Sequence, residues 1–415
     1  MEFFLNYPMT GVYLDCKKGF SIVLRCKISI ALRKESSMKI EKTVTVYQEN
    51  GFYSAFPGIA NLGNGKIAVA FRRAPNYQGL PGVPDGYYSH GDALSQFVIC
   101  FSEDNGETWS KPRLLYSSPV GGSQDGGLFY DGKYLFANSF VWRYLPELPG
   151  SYMVAARMEF IFHYLTYLVP FGSYVLRSDD RGATWSDAVF PEPLPENIEV
   201  LPGQPLRLHN RGNLVRSKDG RLILSGKSLR TKPVRHSTVT LYQSLDNGES
   251  FQFLCNAVDA KGIAIFEEPC LYITEQNKWV VLCRSHKLTD GTSSTRAMCV
   301  YAHSNDEGKS WSEPVYAGFH AEPITAHRMD DGRVLLAYGY RKDDGQGVRL
   351  KVCNSELTDI ETAEELILRS DNGHIDCGYP TITSLGNNRY MIAYYMDKPQ
   401  WHCNSKIEIS IIDFN

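Results

Sequence analysis

Short apolar runs broken by turn residues recur along this chain, and their spacing predicts β-hairpins throughout. Six segments share one form: a hydrophobic run, a tight turn ending in Gly or Asn and followed by a basic residue, then a second hydrophobic run. They read IANLGNGKIAVAF, GLFYDGKYLFANSF, NLVRSKDGRLILSG, CLYITEQNKWVVLC, ITAHRMDDGRVLLAY and TITSLGNNRYMIAYY, with turns marked by Gly65, Gly132, Gly220, Asn277, Gly332 and Asn388. Turns of Asp/Asn-Gly character supply the positive φ that closes a tight hairpin. The second interval is the longest and holds an aromatic-rich insertion, roughly Trp142 to Phe171, which would form either a wall over a site or a packed loop.

A second pattern interleaves with the first. Ser-x-Asp-x-Gly-x-Thr/Ser-aromatic occurs at Ser102–Trp109, Ser178–Trp185, Ser244–Phe251 and Ser304–Trp311, with a degenerate remnant near Asn354-Ser355-Glu356. In such a turn Asp bonds neighbouring amides, Gly takes the positive φ, and the aromatic pins the turn to the sheet below. Each hairpin followed by a box makes a module of about four strands. Six hairpins predict an all-β, six-bladed β-propeller.

Residues 1–37 carry neither pattern. Their apolar run Phe20–Leu32 is interrupted by Arg25 and Lys27, which suits neither a secretory core nor a membrane span. The folded unit is therefore expected over 38–415, with 1–37 as an N-terminal extension. Without a convincing signal peptide the expected location is cytoplasmic, or periplasmic or secreted if the true start lies elsewhere. A net charge of −3 gives no basic footprint for nucleic acid. Ten cysteines without CxxC spacing read as buried reduced thiols, and neither metal nor cofactor is expected.

Aligned on their turns, the hairpins share a position about nine residues upstream, where each inner strand starts. It holds Phe56-Pro57, Ser123-Gln124, Arg211-Gly212, Glu268-Pro269, Glu322-Pro323 and Tyr379-Pro380. X-Pro is expected to keep the preceding residue extended. Arg211, Glu268, Glu322 and Tyr379 would thus converge on the channel mouth, a polar set suited to carbohydrate chemistry. Arg73, Arg284 and Arg341 leave the hairpins at the same level, and His90 and Asp92 lie in the loop after the first hairpin.

The boxes and the blade order, over about residues 45–410, resemble the sialidase (neuraminidase) superfamily with its bacterial neuraminidase repeats. The resemblance implies roles. Asp92 would be the acid/base in the loop after the first hairpin. Tyr379, in Cys377-Gly378-Tyr379-Pro380, would be the nucleophile and Glu268 its base, with Arg284 and Arg341 binding an acidic group on the sugar. One place departs from the family. Where an Arg-Ile-Pro arginine is expected, this chain has Ala55-Phe56-Pro57-Gly58-Ile59, so the fold is implied but sialic acid is not; Arg72 or Arg73 is the nearest cation in sequence that could replace it.

The function expected is an exo-acting glycoside hydrolase of sialidase type on a terminal acidic sugar. Two alternatives stay open: a rhamnosidase, or a polysaccharide lyase using His90, His209, His286 or His320 beside a tyrosine; and a glycan-binding propeller without catalysis.

Overall fold

Each predicted hairpin is the centre of a four-stranded antiparallel sheet. The computed structural model describes residues 38–77, 81, 92–146, 166–201, 203–230, 236–261, 264–289, 292–397 and 405–415. Residues 1–37, His90 and 147–165 of the insertion lie outside the described residues.

Blade 1 runs Phe52–Gly63, Lys66–Pro75, Gln96–Ser102 and Arg113–Tyr116. Blade 2 has a divided first strand, Gly121–Ser123 and Gly127–Tyr130, both paired to Leu135–Pro146, which in turn pairs Thr166–Ser178. A single bridge from Val175 to Val189 stands for its outer strand. Blade 3 comprises Leu214–Arg216, Leu222–Arg230, His236–Ser244 and Gln252–Asp259. Blade 4 comprises Ala264–Ile273, Trp279–Thr289, Thr292–Ser304 and Val315–His320. Blade 5 comprises Ile324–Arg328, Val334–Tyr340, Gly347–Cys353 and Glu365–Arg369. Blade 6 joins Gly378–Gly386, Arg389–Met396 and Lys406–Asp413 to Lys39–Tyr47, which comes from the other end of the described chain and closes the ring. The result is a six-bladed β-propeller.

The apolar runs fill the spaces between blades. Six separate clusters of buried side chains each join two neighbouring blades, for example Ile67, Val69 and Cys100 of blade 1 with Met391, Ala393 and Ile409 of blade 6. Because both faces of every sheet are covered, the strands are apolar on both sides rather than alternating. The seven described cysteines are free thiols, and all but half-buried Cys255 are buried.

The boxes form the turns from third to fourth strand. In blade 4, Ser304 Oγ donates to Asp306 Oδ1 at 2.7 Å and accepts the Gly308 amide at 2.9 Å, while Asp306 accepts the Ser310 amide at 2.8 Å. The same bonds recur at Ser102, Ser178 and Ser244. Hydrogen bonds from the Thr108 and Ser310 side chains, then their amides, hold the carboxyls of Asp104 and Asp306 down to about 2. A Cβ at each box glycine would run into the preceding blade: at Gly106 into Met391, at Gly182 into Phe101, at Gly248 into Phe136 and at Gly308 into Cys255. In blade 5 the remnant keeps part of this scheme, with Asn354 Oδ1 accepting the Thr358 amide at 3.1 Å. The boxes lie beside the inner hairpin turns, as the bond from Asn105 N to Gly65 O shows. The strand starts are therefore at the opposite end. Among the described residues no helix is long and apolar enough to cross a membrane.

Candidate active site

Three inner strands begin with the same irregularity. The register slips between Ala55 and Gly58, between Glu267 and Cys270, and between Gly378 and Thr381. At these bulges Phe56, Glu268 and Tyr379 take φ of 59°, 54° and 51°. The expectation that a following proline keeps them extended is overturned. A bulge adds a residue that the ladder leaves unpaired, and its local twist outweighs the pre-proline preference. Left-handed backbone at a non-glycine costs roughly 1–3 kcal/mol and tends to occur at functional sites, where it re-aims a side chain. Here it turns three side chains from three blades toward one another.

Tyr379 and Glu268 meet directly, the phenol donating to Glu268 Oε1. Both are buried, at 5% and 6% exposure. Burial, reinforced by the charge of Glu268, raises the phenol well above its ordinary range, although Arg284 and Arg341 oppose this. The hydroxyl is therefore protonated at rest and aligned on a base. Arg284, at the end of its hairpin, donates from Nη1 to Glu268 Oε2 at 3.1 Å and from Nε to His286 Nε2 at 2.9 Å. Arg341 donates from Nε and Nη2 to the Cys377 carbonyl at 3.1 and 3.0 Å, and from Nη2 to the Tyr395 hydroxyl at 3.0 Å. Both Arg341 and Arg211 stand 5.3 Å from the Tyr379 ring centroid. Arg211 Nη2 donates to the Pro57 carbonyl at 3.1 Å, while its Nη1 is buried without a hydrogen bond from the described residues. Glu322 lies between two arginines, 3.5 Å from Arg341 and 4.0 Å from Arg284.

One expected residue is placed differently. Arg73 is turned away: it stacks on Phe52 with its guanidinium carbon 4.5 Å from the ring and bonds Gln96 at 2.8 Å. Successive residues of a strand face opposite sides, and its neighbour Arg72 is the one directed inward, fully buried, over Tyr53 and held by Ser95 Oγ at 3.0 and 2.7 Å. Asp92 is anchored at the boundary of blades 1 and 2, accepting the Leu94 amide at 2.7 Å beside Ser95. At the strand start that lacks the expected arginine, Phe56 packs with its ring centroid 4.5 Å from that of Tyr379 and 5.1 Å from that of Tyr395.

The sequence alignment missed three contributors. Asp125 lies in the gap of the divided strand of blade 2, is 7% exposed, and faces the charges of Arg211, Glu268, Arg72 and Arg284. Burial raises its carboxyl to about 7. Asp376 accepts from Tyr53 at 2.6 Å and Tyr395 at 2.5 Å and fixes the aromatic floor. Glu267, beside Glu268, pairs with Lys227 at 2.6 Å and with His286 at 3.4 Å. Burial alone would raise its carboxyl, but Lys227, His286 and Arg284 outweigh that and hold it well below the usual range. The histidines named for elimination chemistry have other tasks. His286 is engaged by Arg284 and Glu267, and burial followed by the charge of Lys227 lowers His209 to about 3.

Blades locked by Asp boxes, with a tyrosine–glutamate pair flanked by arginines at the strand starts, define a sialidase-like propeller. The chain belongs to the BNR repeat-like domain family, whose profile matches residues 167–392. It is similar to a protein of unknown function from Dyadobacter fermentans, 31% identical, with 91% of this chain and 99% of that one covered at a TM-score of 0.78. Similarity to the NanB sialidase of Streptococcus pneumoniae is 12% identity over 89% of this chain and 70% of that one, TM-score 0.58. An α-L-arabinofuranosidase of Fusarium graminearum is 12% identical over 88% and 97%, TM-score 0.57. At that identity these last two share the fold. Comparison with curated proteins finds none that matches.

Proposed function

We propose that this protein is an exo-acting, retaining glycoside hydrolase in which Tyr379 is the nucleophile. The observation that carries the reading is the buried hydrogen bond from the Tyr379 hydroxyl to Glu268, between two arginines. A phenol is a weak nucleophile until its proton is removed, and a positioned base solves that problem. Glu268 takes the proton as the phenol oxygen attacks the anomeric carbon. Arg284 steadies the carboxylate of Glu268, and Arg211 and Arg341 stabilise the negative charge that develops on the Tyr379 phenol as its proton leaves. The glycosyl–tyrosine intermediate is then hydrolysed by water, and Glu268 returns the proton to the phenol.

The leaving oxygen needs a proton donor, and two carboxyls on the blade 1 and blade 2 side can supply it. Asp92 occupies the loop from which a donor is expected; Asp125, raised to about 7 by burial, has the protonation state a general acid requires at neutral pH. An activated leaving group separates them: it restores turnover in whichever of Asp92→Asn and Asp125→Asn lacks the acid, and not in the other.

Tyr379→Phe tests the whole reading. Turnover of the best glycoside is expected to fall on the order of 10²–10⁴-fold, with Glu268→Gln similar and the double variant no worse than either, because the pair acts as a unit. Unchanged turnover in Tyr379→Phe would exclude this nucleophile. The elimination alternative draws no support from His209 or His286, which are engaged elsewhere.

A further inference from the structure

Which sugar sits against Tyr379 is written in the charges around it. Resting on the hydrolase reading, we infer that this sugar carries no acid group, because Glu322 already supplies the carboxylate that an acidic sugar would bring to Arg284 and Arg341, and the inner-strand start of blade 1 brings Phe56 and no cation.

Glu322 stands at the inner-strand start of blade 5 and is 7% exposed. Its Oε2 lies 3.5 Å from Arg341 Nη1 and 4.0 Å from Arg284 Nη1. A carboxylate between two guanidiniums is the arrangement that an arginine clamp would otherwise make with its ligand. Both arginines are also hydrogen-bonded within the protein, Arg284 to Glu268 and His286 and Arg341 to the Cys377 carbonyl and Tyr395. The pair already holds an internal carboxylate.

The inner-strand start of blade 1 points the same way. The Phe56 ring is 1% exposed and lies among Tyr53, Tyr379 and Tyr395. It brings no charge to the site. Hydroxyl groups fit better. They can donate to Asp125 and accept from the buried Nη1 of Arg211, which has no hydrogen bond from the described residues.

The test uses acidic sugars as probes. Binding of N-acetylneuraminic acid and of glucuronic acid is measured by calorimetry on the full chain and on Glu322→Gln, with circular dichroism to verify folding. Wild-type turnover of the 4-methylumbelliferyl glycosides of both acids is compared with that of neutral hexosides, deoxyhexosides and pentosides. Wild type is expected to bind the acids weakly and to cleave neither glycoside, whereas Glu322→Gln binds at least one acid about tenfold more tightly once the internal carboxylate is gone. The inference is overturned if wild type cleaves an acidic glycoside faster than every neutral one. It is also overturned if folded Glu322→Gln shows no gain for either acid. Should no glycoside be cleaved at all, the hydrolase reading fails by itself, and the calorimetric comparison still decides whether the site rejects acids. Should Glu322→Gln fail to fold, acid binding to the wild type decides: affinity for either acid at or above that for neutral monosaccharides contradicts the inference.

Discussion

Asp125 is the residue whose chemistry departs furthest from its sequence context. A carboxyl buried to 7% exposure and raised to about 7 is costly to ionise. Near pH 4 and below, folded and unfolded chains both hold the proton and the penalty is absent. Between pH 4 and 7 the unfolded chain releases it while the folded chain keeps it, so stability falls as pH rises and the full penalty stands above pH 7. Asp125→Asn, neutral throughout, is expected to remove this slope and to be more stable than wild type at pH 8 by up to about 4 kcal/mol, while losing turnover. Urea unfolding at pH 5 and pH 8 checks it; an equal stability difference at both values contradicts it. The sequence concealed this residue because counting back from the hairpin turn selects Ser123-Gln124, and nothing in Gly-Gly-Ser-Gln-Asp-Gly-Gly reveals that the strand divides there. Arg72 was hidden differently: two adjacent arginines end one strand, and only the facing of the sheet tells which turns inward. Glu268, Tyr379 and Glu322 were legible because one repeated position carries them.

At the scale of the element, two devices divide the work between the ends of each blade. Bulges at the strand starts aim side chains, and Asp boxes at the far end fasten each blade to the one before. The boxes were legible in full, since every bond in them joins residues within a few positions of one another. The bulges were legible as X-Pro but not in their backbone, because a left-handed φ before proline is imposed by the sheet and not by the dipeptide. This division predicts that fastening and chemistry are separable. Ser304→Ala removes a buried hydroxyl that serves both Asp306 and the Gly308 amide, and is expected to cost about 1–2 kcal/mol with kcat/KM unchanged. A loss of activity in protein that remains folded would show that the two ends are coupled.

At the scale of the molecule, closure depends on Lys39–Tyr47, which pairs with Lys406–Asp413 and contributes Val46 and Tyr47 to the cluster between blades 6 and 1. Tyr379 belongs to that same cluster, so the ring's seam and its nucleophile share packing. Removing the chain through Tyr47 is expected to expose a strand edge, lower the thermal midpoint sharply, and abolish turnover together with stability. The six-bladed ring was legible from six hairpins; the seam was not, because it joins segments more than three hundred residues apart. What the ring finally brings together, across blades 4 and 6, is Glu268 and Tyr379. The most direct test is to trap the intermediate with a 2-deoxy-2-fluoro glycosyl fluoride of the sugar that turns over fastest, then locate the adduct by peptide mass spectrometry. The account predicts one glycosyl group on Tyr379. An adduct on Glu268, or inversion of the anomeric configuration with no adduct, would contradict it.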